Sequence, residues 1–203
     1  MYNIPKLHLA LAVFVLAALA WSGIAPYDRT TWWMEVAPVL IALPLMAATY
    51  RSFRLTDLLY VLIAMHCVIL MVGGAYTYAR VPLGFDLQHW FGLSRNPYDK
   101  IGHFAQGFVP AMVAREVLLR KGYLPRGKML AFIVICIVLA ISASYELIEW
   151  GAAVAMGQGA DEFLGTQGDP WDTQSDMFMA LIGSVCALLS LTGLHDRQLH
   201  ARG

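Results

Sequence analysis

The sequence predicts an all-α protein, a polytopic membrane helix bundle of about six transmembrane helices forming a single integral membrane domain over residues 1–203. Three observations carry that reading. Hydrophobic residues make up 59% of the 203-residue chain, charged ones only 14%, and mean hydropathy is +0.58, which is membrane-protein composition. Apolar windows of the roughly 20 residues that cross a hydrocarbon core recur along it. Half of the fourteen acids (Glu146, Glu149, Asp161, Glu162, Asp169, Asp172 and Asp176) fall between Tyr145 and Met177, and no Lys or Arg lies between Lys128 and Arg197. Ionisable groups flanked by membrane-grade apolar sequence are costly, so they point to function.

The first span is residues 7–25. Its leading Lys6, apolar run and Ala18-Leu19-Ala20 also fit a secretory signal, but the run continues through Trp21 and further spans follow, so a retained helix is expected. The second span, 33–50, carries Pro38 and Pro44, which remove backbone donors and predict kinks. The third, 58–79, holds His66, expected as a packed core histidine because no acid lies within a helical turn. Residues 80–98 are too short and mixed to span and predict an interfacial segment. The fourth, fifth and sixth spans are 101–119, 129–151 and 174–193. Cys67, Cys136 and Cys186 lie in apolar runs without close spacing and are expected as small buried hydrophobes.

Formal net charge is zero, which gives no reason to expect a nucleic-acid partner; the distribution of charge matters more. Six spans put both termini on one side. That side holds Lys6, Arg51, Arg54, Arg115, Arg120, Lys121, Arg126, Lys128, Arg197 and Arg202, against Arg29, Arg80, Arg95 and Lys100 on the other. The positive-inside rule then predicts cytoplasmic termini. All six tryptophans, Trp21, Trp32, Trp33, Trp90, Trp150 and Trp171, fall at the opposite, outer ends of spans, where headgroup-level anchors belong. The acidic stretch is thereby predicted to face outward.

This orientation brings three segments to one depth. Asp99, His103 and Gln106 make one helical stripe, Ser142, Glu146 and Glu149 a second, and Asp172 and Asp176 repeat the four-residue step. Several carboxylates and an imidazole in low dielectric require protons or a cation, and a divalent metal with oxygen ligands and one histidine satisfies that demand. The candidate ligands are His103, Glu146, Glu149 and Asp176. Asp99, Lys100, Gln106, Tyr145, Asp169, Trp171 and Asp172 are the supporting or substrate-facing candidates. The plainer readings are that Asp169, ahead of Pro170, and Asp172 cap the sixth span, that Lys100 neutralises Asp99 or snorkels, that Glu146 and Glu149 bond Tyr145 or Thr173, and that Asp161 and Glu162 are solvated loop acids. No nucleophile elbow, zinc-protease motif or phosphate loop occurs, so no reaction is assigned.

Asp99-Lys100-x-x-His103-Phe104, Tyr145-Glu146-x-x-Glu149 and Gly168-Asp169-x-Trp171-Asp172-Thr173-Gln174-x-Asp176-Met177 resemble the YjdF family of uncharacterised bacterial inner membrane proteins. The resemblance is strong over the second half of the chain and implies an inner-membrane location. A more distant similarity is to VanZ-like membrane proteins, where Glu149 stands in place of Gln and Ala180 in place of Asn.

The functional expectation is a divalent cation that holds the headgroup of a lipid or envelope precursor. The alternatives are an ion- or proton-coupled transporter and a structural, partner-binding membrane protein. For a transporter, polar residues at mid-depth and at the inner end are expected, and His66 is nearly the only one the sequence offers.

Overall fold

The computed structural model describes residues 4–156 and 167–201. Among the described residues seven helices run in order: α1 Lys6–Ile24, α2 Arg29–Thr49, α3 Asp57–Tyr76, α4 Pro82–Phe91, α5 Tyr98–Arg120, α6 Lys128–Met156 and α7 Asp172–His200, with a 3-10 turn at Tyr78–Arg80. Asp161, Glu162 and the neighbouring glycines Gly157, Gly159 and Gly165 lie outside the described residues. Among the described residues five helices, α1, α2, α3, α6 and α7, are long and apolar enough to cross a membrane. The fourth expected span, α5, has the length but carries Asp99, Lys100, Arg115, Glu116 and Arg120. Its charged groups turn onto neighbouring helices, which is how a polar helix can occupy the middle of the bundle.

The short helix α4 is amphipathic, starting at Pro82 and closed by Gly92 in the left-handed region at φ 62. Phe85, Trp90 and Phe91 project from it exposed, the surface an interfacial helix presents to lipid. The N-terminus of α2 is capped by Asp28, whose carboxylate accepts the Thr31 N–H at 2.7 Å. That bond holds the Asp28 carboxyl below the usual carboxylate range.

Two expectations need correction. Trp32 is buried, donating its indole N–H to Ser22 Oγ at 3.1 Å and lying over Gly23 and Gly74. It ties α1 to α2 and is no headgroup anchor, whereas the other five tryptophans are exposed. Cys67 is buried, but Cys136 is exposed on α6 and Cys186 is half-buried; an apolar run in a membrane helix has a lipid face as well as a packed one.

Helix α5 is the hub, packing against α3, α6 and α7, while α1 and α2 pack onto α3. The α5–α7 interface is the most extensive in the bundle. The two helices run parallel, since Lys100 meets Asp172 and Asp176 at one end and Arg115 meets Asp196 at the other. Between these ends the backbones touch: a Cβ on Gly107 would strike the Ala180 carbonyl, and one on Gly183 the Phe104 carbonyl. Small residues allow this approach where no hydrophobic force drives helices together.

At the basic end a buried network locks three helices. Glu116 is 0% exposed; its carboxylate accepts from Thr56 N at 3.1 Å, Thr56 Oγ1 at 2.7 Å, Arg120 at 2.7 Å and His195 Nε2 at 2.9 Å. Arg115 donates to His195 Nδ1 and to Asp196, both at 2.8 Å. This corrects the expectation that His66 stands nearly alone among polar groups away from the acidic stretch. Removing one partner strands the others' charges and donors, so Glu116→Ala is expected to cost about 3–5 kcal/mol. Thermal unfolding in detergent reads this as a large fall in midpoint, and an unchanged midpoint would show that the network braces nothing.

Candidate functional site

The acidic end is assembled from four elements. The first turns of α5 supply Asp99, Lys100, His103 and Gln106; α6 brings Tyr145, Glu146 and Glu149; α7 opens with Asp172, Ser175 and Asp176; α2 adds Glu35. Two loops hold α5 and α7 in register: Asn96 N–H donates to Gln167 Oε1 at 3.1 Å, and Gln167 Nε2 returns a bond to Asn96 O at 3.0 Å.

Lys100 is the principal counter-charge. Its Nζ donates to Asp172 Oδ1 at 2.8 Å, Ser175 Oγ at 2.6 Å and Asp176 Oδ1 at 2.6 Å, and lies 3.7 Å from Asp99 Oδ2. It pairs with its neighbour Asp99 at a longer distance and, through its shorter bonds, bridges α5 to α7 rather than snorkelling. Arg95 pairs with Asp172 and lies 3.9 Å from both Asp99 and Asp169. Asp172 is thus an ion-pair partner, not a cap. Asp169 does not cap either: its Oδ1 accepts the Trp171 N–H at 2.9 Å, closing the turn ahead of α7, so Pro170 precedes the helix instead of opening it. The Trp171 side chain is exposed.

Beside this ion-pair layer His103 faces three acids, Asp99, Glu146 and Asp176. Its Nδ1 lies 3.0 Å from Gln106 Oε1 and 3.7 Å from Glu146 Oε1, two oxygen acceptors that favour the tautomer with its proton on Nδ1. Nε2 lies 3.4 Å from Asp99 Oδ1 and 3.9 Å from Asp176 Oδ2. One ligand atom from each of Asp99, His103 and Asp176 falls within 4.8 Å of the others, and all three residues are buried. Asp99 Oδ2 and Glu146 Oε1 are buried without a hydrogen-bond partner.

The structure therefore gathers His103, Asp176 and Asp99, with Glu146 beside them, and places Glu149 elsewhere. Glu149 lines an adjoining chamber of about 170 Å³ with Glu35, Tyr78, Asp99, His103 and Tyr145. The Tyr145 hydroxyl donates to Glu35 Oε2 at 3.1 Å, not to Glu146 or Glu149. Glu35 is 5% exposed and went unrecognised in the sequence, where it sits alone near the start of a proline-interrupted span. Its signal was its type: a carboxylate followed by fifteen residues without another charge.

A family described as predicted membrane proteins, DUF2238, has a model that matches residues 7–197. The chain belongs to this family. The inner membrane protein YjdF of Escherichia coli is 60% identical over 192 residues, spanning 95% of this chain and 92% of that protein. The resemblance first carried by the three motifs thus extends over nearly the whole length, and a multi-pass inner-membrane location follows. No solved structure matches the chain.

Proposed function

We propose that this protein binds a divalent cation between Asp99, His103 and Asp176, with Glu146 in reach, and through it the phosphate of a lipid or envelope-precursor headgroup. The His103 ring carries this reading. One nitrogen is committed as a donor to Gln106, and the other is directed at two buried carboxylate oxygens. A metal-bound histidine is held in the same way, by an oxygen acceptor on its second ring nitrogen. Oxygen ligands with one imidazole suit Mg²⁺ or Mn²⁺ better than a soft metal. The excess of Lys and Arg at the other end supports a periplasmic site with both termini cytoplasmic.

Elemental analysis of protein purified in mild detergent tests the reading. About one divalent ion per chain is expected, lost in Asp176→Asn and in His103→Gln. Metal-free wild-type protein, after purification without chelator, would leave an imidazolium as the counter-charge and overturn it.

The transporter reading fares less well. The polar networks at the two ends are joined by a region lined mostly by apolar side chains, with His66 its one histidine among the described residues and Lys121 at its far end. That is a poor path for an ion, though a good one for hydrocarbon.

A further inference from the structure

Helices α2 and α6 flank α3 and α5 and have no extensive packing on one another among the described residues, and the Tyr145–Glu35 hydrogen bond links them. Beyond that bond lies a cleft of about 590 Å³ whose surface is overwhelmingly apolar, lined by Val39, Ala42 and Met46 on α2, Val113 and Val117 on α5, and Ile141 on α6. This is within the size range of ligand sites, about 300–1,000 Å³. Along α2 it reaches from Pro38 to Thr49, about 17 Å at about 1.5 Å per residue, close to one leaflet of a hydrocarbon core about 30 Å thick.

The cleft is continuous with the acidic chamber. Pro38, His66, Leu70, Pro110 and Ile141 line both. Among the described residues no Lys or Arg lines the chamber, while Glu35, Asp99 and Glu149 do, beside Tyr78 and Tyr145. Asp99 is 6% exposed and Glu35 5%, so both carboxylates are held away from bulk water. Buried carboxylates with aromatic neighbours complement an ammonium group.

We infer that the cleft holds the acyl chain of a membrane phospholipid that enters laterally between α2 and α6, with the ammonium of an ethanolamine headgroup in the chamber formed by Glu35, Tyr145, Glu149 and Asp99. The inference shares with the proposed function the placement of a headgroup at this end, and deepens it by naming the lipid class. It does not need the metal.

Native mass spectrometry of the full chain, delipidated in detergent and titrated with dioleoyl phosphatidylethanolamine or dioleoyl phosphatidylglycerol, tests it. Wild type is expected to retain the ethanolamine lipid at least tenfold better. Ala42→Trp, which fills the cleft, should lower retention of that lipid at least tenfold, with Ala114→Phe on the facing wall as the second variant should the first not fold. Glu35→Gln should bring the ethanolamine lipid down to the glycerol lipid's level. Equal retention of the two lipids overturns the inference, as does preference for the glycerol lipid, which would place an anionic head at Lys121 at the far end of the cleft. Retention indifferent to both cleft-filling variants overturns it too. Selective lipid retention by metal-free protein would refute the cation reading alone; stoichiometric metal with unselective retention would refute this inference alone.

Discussion

Gly107→Val is expected to prevent the bundle from assembling, so that the variant fails to accumulate in the membrane as a monodisperse species. A Cβ on Gly107 meets the carbonyl and Cα of Ala180, which are backbone atoms of the facing helix and cannot rotate away. Gly183 repeats the constraint from the other side against Phe104 and Phe108. Ordinary overpacking costs about 1–3 kcal/mol because side chains can rearrange; here the helices themselves must part. They cannot do so locally, because Lys100 and Arg115 tie α5 to α7 at both ends. Size-exclusion profiles of fluorescent fusions would read the effect. The matching control is Gly151→Ala on α6, where a Cβ meets nothing within 4 Å: it should accumulate normally and gain about 0.5–1 kcal/mol from the loss of glycine's backbone freedom. If Gly107→Val accumulated as well as Gly151→Ala, the close α5–α7 approach would be wrong.

The span pattern was legible because the bilayer imposes it: a helix must satisfy its own backbone over about 20 residues, and composition alone exposes such a stretch. The stripes Asp99–His103–Gln106 and Ser142–Glu146–Glu149 were legible because residues three and four apart share a helix face. Which stripe residue faces which was not. Rotation of α6 about its axis decides that Glu146 meets His103 while Glu149 meets the chamber with Glu35, and rotation is set by packing against α5 and α7. Glu35 and Tyr145 are 110 positions apart, and Glu116 and His195 are 79 apart, so no local period announces either pair. Counting Arg115 and Arg120 only as markers of a cytoplasmic side hid their part in burying Glu116. Lys100 was weighed against Asp99 because the two are adjacent in sequence, yet adjacent helical residues point apart, and its nearest carboxylates come from α7.

Lys100→Met should be the most informative substitution at the acidic end. Lys100 supplies hydrogen bonds to Asp172 and Asp176 together, and its side chain is only 18% exposed. Methionine keeps the volume and removes the charge, leaving Asp99, Asp172 and Asp176 opposed with Arg95 as the remaining fixed cation close to them. Stranding buried charge costs about 3–5 kcal/mol, expected as a large fall in the thermal midpoint at neutral pH. The cause is separable by a double-mutant cycle. Adding Asp176→Asn removes one of the stranded carboxylates, so Lys100→Met/Asp176→Asn should be more stable than Lys100→Met alone; equal or lower stability would mean that Lys100 acts through packing. The same variant also probes the cation site. With Lys100 gone the site is more negative, so millimolar Mg²⁺ or Mn²⁺ should raise the midpoint of Lys100→Met more than that of wild type. In Lys100→Met/Asp176→Asn, where one ligand is missing, the added rise should disappear. A midpoint of Lys100→Met that ignores both ions would count against a divalent cation at Asp99, His103 and Asp176, because ligand binding to the folded state must stabilise it.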